Sequence, residues 1–173
     1  MTSAEKAREL TDAPLHVWGG AQAVEGHNLA SMQSWSTWKP CKRAAQEAYK
    51  LTGISPRDVD IAQVHDCFTI SEIIVTEDLG FCEKGKGGAF IAEGQTDIGG
   101  ELAVNTDGGL LSRGHPIGAT GVAQAVELLW QVQAKVPRQR QVENPDIALA
   151  HNLSGSANAH SIMVYGRQPR RGA

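Results

Sequence analysis

Apolar residues recur along this 173-residue chain with two periods, and the switches between them mark its elements. Leu15 to Val24 reads as a strand, with His16, Val17 and Trp18 leading into small residues. Lys39-Pro40 opens a helical stretch, Cys41 to Leu51, as proline suits a first helical turn. Gly53 to Asp58 is a turn, and Val59 to Val64 a short apolar strand. Ile70, Ile73, Ile74 and Leu79 share one face of a helix predicted over Thr69 to Leu79. Thr69 or Ser71 would cap it, with Glu72 in its first turn. Val122, Ala125, Val126, Leu129 and Trp130 repeat the helical spacing and stop before Pro137. Ile147 to His151 and Ser161 to Tyr165 are strands, joined as a hairpin across the small residues Ser154 to Ala157.

Between these segments the chain is polar. The first dozen residues are charged and form a frayed helix or arm. Residues 25–36 read as a loop, with Trp35 and Trp38 as packing anchors, and Gly80 to Gly100 as an excursion over the surface. The order is strand, helix, strand, helix, long loop, helix, strand, strand. That is an α/β pattern, a mostly parallel sheet with an antiparallel edge, covered by helices. One domain over 14–167 is expected, with a flexible arm at 1–13 and a basic tail at 168–173. In such sheets chemistry gathers where strands run out into loops. Three polar clusters fall there: His65-Asp-Cys67, a glycine-rich loop around His115, and His151 to Gly155.

Composition narrows the choices. A net charge of −3 gives no electrostatic case for nucleic acid or an anionic membrane. No apolar run approaches a membrane span, and the start lacks a signal-peptide core, so a cytoplasmic protein is expected. Cys41, Cys67 and Cys82 form no Cys-x-x-Cys pair, which argues against a disulfide framework or a structural zinc site. No metal is expected.

The most informative segment is Asn105-Thr-Asp-Gly-Gly-Leu-Leu-Ser-Arg-Gly-His-Pro-Ile-Gly-Ala-Thr-Gly121. Glycines let the backbone approach a ligand, the proline fixes the chain beside the histidine, and a helix follows at once. A solvated linker seldom carries residues such as Leu110, Leu111 and Ile117. The loop lacks the Gly-Lys-Ser/Thr ending of a P-loop and the glycine spacing of a dinucleotide fingerprint. It reads as a rigid mount for one acid/base imidazole.

His65-Asp-Cys-Phe-Thr69, then the Asn105 to Gly121 loop, then a His-Asn and glycine turn before the last strand resemble the C-terminal half of thiolases. The match is to the sterol-carrier-protein or lipid-transfer branch, and it runs from about Leu15 to Arg167. The resemblance implies a βαβαβαββ half, whose sister half carries the nucleophilic cysteine. Nothing in this chain corresponds to that sister half. A separate N-terminal-half subunit would supply it, and an open apolar helix face implies an oligomer. The substrate would be a β-ketoacyl-CoA, with coenzyme A as substrate and no tightly bound cofactor.

By the same resemblance His115 would deprotonate the partner's cysteine and, with His65, donate to the thioester oxygen. Cys67 would move the α-proton of the second substrate; its other reading is a small buried hydrophobe. Asn105, Gly118 and Gly155 would shape the oxyanion and substrate loops. The family's adjacent glycines at the last turn are replaced here by Ser154-Gly-Ser-Ala157. Asp66, Asp107 and His151 fit loop-fixing hydrogen bonds, and His160 a structural place. Two alternatives stay open. One is a retro-aldol lyase subunit acting on a β-hydroxyacyl-CoA beside a small acyl-CoA-binding domain. The other is a non-catalytic acyl-CoA-binding scaffold.

Overall fold

The computed structural model describes residues 1–26 and 34–170, so part of the expected 25–36 loop and the last three residues of the tail lie outside the described residues. Five strands form one sheet in the order β1-β5-β4-β2-β3. They are β1 (His16–Val24), β2 (Ile61–Gln63), β3 (Ala103–Val104), β4 (Ile147–Ser154) and β5 (Ala159–Gly166). The helices are α1 (Ala4–Leu10), α2 (Lys39–Thr52), α3 (Thr69–Asp78), α4 (Gly87–Ala92), α5 (Gly109–Arg113) and α6 (Thr120–Val132). From β1 the main elements run βαβαβαββ, as the resemblance implied, with α4 and α5 as short additions. The sheet is mixed: β2 pairs in parallel with β3 and β4, while β5 pairs antiparallel with β4 and β1. The antiparallel portion therefore includes the first strand as well as the final hairpin.

Alternation along the strands splits the core in two. Leu149, Leu153, Ile162 and Val164 point to the α2 and α3 side, where they meet Cys41, Ala44, Ala45, Ala48, Ile74, Val75 and Leu79. Small residues recur along one face of α2, so its backbone packs close to the strands. Gly53 ends it in the left-handed region at φ 73°. The opposite face is thinner: Ile61, Ala103, Ala148, Ala150 and Tyr165 pack against Leu128 of α6.

Four expectations change. Trp38 is buried as an anchor, but Trp35 is 69% exposed. Phe68, not Thr69 or Ser71, stands at the N-cap of α3, without a side-chain cap bond. Ile70 lies on the outer side of α3 at 56% exposed, because only Ile74, Val75 and Leu79 reach the sheet. The fourth is the largest. α6 faces the protein with Gln124, Glu127, Leu128 and Gln131, while Val122 and Trp130 face outward.

The inversion of α6 has a hydrogen-bonding cause. Gln124 Nε2 donates to the His151 carbonyl (2.9 Å) and Gln131 Nε2 to the Arg140 carbonyl (2.8 Å). Glu127 pairs with Arg140 at 2.8 Å. These amides satisfy buried carbonyls that apolar side chains would leave unpaired, a loss of about 1–3 kcal/mol each.

Candidate active site

Strands β2, β3 and β4 run parallel, so their carboxyl ends share one edge of the sheet. The His65-Asp66-Cys67 segment leaves β2 there, the Asn105 loop leaves β3, and the Ser154 turn leaves β4. Topology alone thus gathers the three clusters that the sequence singled out.

The Asn105 loop is held from its root upward. Asn105 sits at φ 49°, its N–H donates to the Ala62 carbonyl (2.9 Å), and its Oδ1 accepts from the Val64 N–H (2.9 Å). Asp66 Oδ1 accepts from the Leu110 N–H (2.8 Å) at the head of α5. Its carboxylate occupies the space a Cβ on Gly109 would need, and Gly109 has φ 62°, so only glycine fits. Asp107 accepts from the Gly109 N–H (3.0 Å) and pairs with Arg113 Nε (2.6 Å). Gln63 completes this knot, donating to Asp107 (3.2 Å) and accepting from Arg113 (3.3 Å).

The knot ends one residue before Gly114-His115. The His115 Nδ1 lies 2.7 Å from Thr120 Oγ1, and that hydroxyl donates its proton to the Pro116 carbonyl (3.0 Å). A threonine has one hydroxyl proton; with that proton on the Pro116 carbonyl, His115 donates through Nδ1 and keeps its lone pair on Nε2. The residue is exposed while Thr120 is buried. An imidazole mounted this way offers a base to whatever docks on this edge.

His65 lies edge-on to His115, with ring centroids 4.8 Å apart at 89°. It is only 3% exposed, and its Nδ1 has no hydrogen-bond partner. Burial first, then the neighbouring His115, lowers its pKa to about 4 against the pull of Asn152, so the ring is neutral near pH 7. Cys67 is half-buried at the head of α3, with Sγ 4.0 Å from Ser71 Oγ. The other thiols are poor nucleophiles. Burial, then Asp78, pushes Cys41 well up, and burial followed by Glu77 raises Cys82.

Gly155 has φ 63°, and a Cβ there would strike Asn158 Oδ1, so the glycine kept in this turn is required by its shape. Ser154 and Ser156 are exposed on either side. Gly118 lies on the exposed stretch between His115 and α6, with open space where a Cβ would go. Sequence reasoning passed over Thr120, Gln63 and Arg113. Their signal was present only for Thr120, a hydroxyl five residues beyond the histidine and at the start of a helix.

Fold and site together define an α/β half-domain with two histidines, His65 and His115, paired at the carboxyl ends of its parallel strands. Residues 21–167 match the family described as "Thiolase C-terminal domain-like". This chain belongs to that family, in its sterol-carrier-protein and lipid-transfer branch. It is 42% identical to an acetyl-CoA acetyltransferase of Methanothermobacter thermautotrophicus over 95% of this chain and 43% of that protein. It is 41% identical to human sterol carrier protein 2 over 72% of this chain and 22% of the other. Among solved structures it resembles an "Ltp2-ChsH2(DUF35) aldolase", with TM-score 0.81 and 27% identity over 97% of this chain and 44% of that one. The chain thus spans less than half the length of these relatives. Among the described residues no helix is long and apolar enough to cross a membrane.

Proposed function

We propose that this chain is the base-bearing C-terminal subunit or fragment of a thiolase-family enzyme that makes or breaks a carbon–carbon bond in a β-ketoacyl-CoA. The observation that carries this reading is the placement of His115, an exposed imidazole held by Thr120 at 2.7 Å and edge-on to His65 at the carboxyl ends of the parallel strands. A separate N-terminal half supplies the nucleophilic cysteine. His115 Nε2 takes that thiol's proton, and the thiolate attacks the substrate carbonyl. Carbon–carbon cleavage then leaves an acyl-enzyme, which the CoA thiol releases. His65, neutral and with Nδ1 unpartnered, donates to the oxygen that gains charge when that nitrogen carries the proton. Cys67 moves the α-proton of the second substrate. Asn105, Gly118 and Gly155 shape the loops that receive the thioester. Coenzyme A enters as substrate.

A second reading is favoured by one observation, the likeness to an aldolase across nearly the whole chain. Retro-aldol cleavage of a β-hydroxyacyl-CoA needs a base for the hydroxyl and donors for the enolate, with no thiol nucleophile. His115 and His65 serve both chemistries, and the partner decides between them.

The deciding experiment is native mass spectrometry of the complex purified gently from its own cells. A stoichiometric partner with a cysteine-bearing thiolase half establishes the acyltransferase. A partner without that cysteine, such as a small acyl-CoA-binding domain, overturns it in favour of the lyase. In the reconstituted complex His115→Ala should lower kcat by about 10²–10⁴ with thermal unfolding unchanged. Unaltered turnover in that variant would refute both catalytic readings and leave a scaffold.

A further inference from the structure

Two further histidines lie in the core, away from solvent: His151 on β4 and His160 on β5, both 0% exposed. Their nitrogens form a chain with one sense. The His65 backbone N–H points at His151 Nδ1 (3.4 Å), which must accept there, so His151 carries its proton on Nε2. That Nε2 is 2.9 Å from His160 Nδ1, which therefore accepts, placing the His160 proton on Nε2. His160 Nε2 then donates to the Ala157 carbonyl (3.0 Å). All three bonds run from the His65-Asp66-Cys67 segment to the turn after β4.

The receiving end of this chain is strained. Ala157 holds φ 59°, a left-handed conformation that disfavours a residue with a Cβ. The carbonyl that His160 holds belongs to this residue. Neither imidazole can gain a proton without placing two donors face to face along the chain. Burial supports neutrality, lowering His160 to about 4 and His151 well below the ordinary histidine value.

Cys41 adds a competing explanation, since its Sγ and the two rings offer ligand atoms all within 4.8 Å of one another. A soft metal ion there would have to break the 2.9 Å bond between the rings. It would also need the Cys41 thiolate, which burial opposes. The hydrogen-bonded chain already engages all four ring nitrogens.

We propose that His151 and His160 are a positioning pair, a neutral hydrogen-bond relay that ties the His65 segment to the Ser154–Ala157 turn and holds that turn in its strained shape. The catalytic consequence rests on the thiolase-type function proposed above; the relay itself does not.

The test begins with ring nitrogen NMR of the whole chain carrying ¹⁵N-histidine. Both rings should show a protonated Nε2 and a bare Nδ1, unchanged between about pH 6 and 8. The opposite tautomer at either ring, or titration in that range, overturns the relay. Addition of Zn²⁺ should leave both rings unaltered, and stoichiometric uptake with loss of their N–H signals would establish a metal site instead. His160→Val should shift the amide signals of residue 65 and residues 154–157, and lower kcat of the reconstituted enzyme about tenfold or more with KM little changed. His160→Gln, whose amide can accept from His151 and donate to Ala157, should restore both. Shifts confined to the neighbourhood of Trp38 and Cys41 would reduce His160 to packing. If the valine variant does not fold, the ring tautomers of the unaltered chain and the glutamine variant still decide. A complex without turnover in any form refutes the thiolase reading while the ring spectra judge the relay separately.

Discussion

The two faces of the sheet are built from different materials. On the α2 and α3 side, strand residues such as Leu149 and Ile162 meet a layer of alanines, valines and isoleucines, and the buried polar groups there include the paired His151 and His160. On the α6 side, the helix is joined to the protein by Gln124, Glu127 and Gln131, with a few apolar residues around Leu128. The first face is finished by this chain. The second presents Val122 and Trp130 outward from the helix that the His115 loop runs into. The two sides are therefore held together by different interactions, and substitutions on each should have different effects.

Acid provides the largest contrast. His65 and His160 are held neutral with pKa values near 4, against 6.5 for an unperturbed histidine, and burial pushes His151 well below that ordinary value too. Their folded values are depressed, so the unfolded chain binds more protons between these limits and stability falls as pH drops from about 6.5 toward 4. A histidine moved that far accounts for about 3 kcal/mol over the interval. The loss for two or more rings is comparable to the whole stability of an ordinary domain. Urea unfolding at pH 7, 6, 5 and 4.5 should show a progressive fall in midpoint. His160→Gln should remove one ring's share, roughly a third of the fall seen in the parent chain. A midpoint that does not move between pH 6.5 and 4.5 contradicts the buried-neutral assignment.

Next in size is Leu149→Ala on the finished face. Leu149 is fully buried among residues from both helices, and its truncation leaves a cavity that close packing cannot fill. A loss of about 3 kcal/mol is expected from equilibrium unfolding, with the exposed site edge unaffected. A loss under about 1 kcal/mol would mean that this face is as loosely built as the other.

Much of this was legible in the sequence, and the failures share a cause. The His115 loop announced itself because glycine, proline and histidine each constrain a backbone in a different way. The strands and helices from β1 to β5 followed from period, except β3, α4 and α5, which are too short to show one. For α6 the period revealed that the helix has two faces, not which one turns inward: Ala125 packs against the Leu128 cluster while Val122 and Trp130 face out. Gln124, Glu127 and Gln131 carry the same spacing as the apolar set. Only the carbonyls they meet, on β4 and near Arg140, decide between them. The His151–His160 bond was hidden for a similar reason. It depends on hairpin register, in which Leu153 faces His160 and His151 faces Ile162, and no local pattern encodes that diagonal.

The smallest effect on stability belongs to the open face, and it bears most directly on function. Val122 is 65% and Trp130 46% exposed, and neither belongs to the core clusters of this chain. Replacing both with glutamate should change the unfolding free energy of the isolated chain by about 0.5 kcal/mol or less, as for other surface substitutions. In the assembled protein the same pair of charges would be buried against a partner, where desolvation weakens association by several kcal/mol. Sedimentation of the variant should show a smaller species than the parent chain with its partner, while circular dichroism and the midpoint in urea stay the same. A variant that assembles normally moves the partner to another surface, and the outward apolar residues of α6 lose their explanation. A variant that unfolds instead shows that α6 was held by this chain after all, and the two faces are less different than their residues make them.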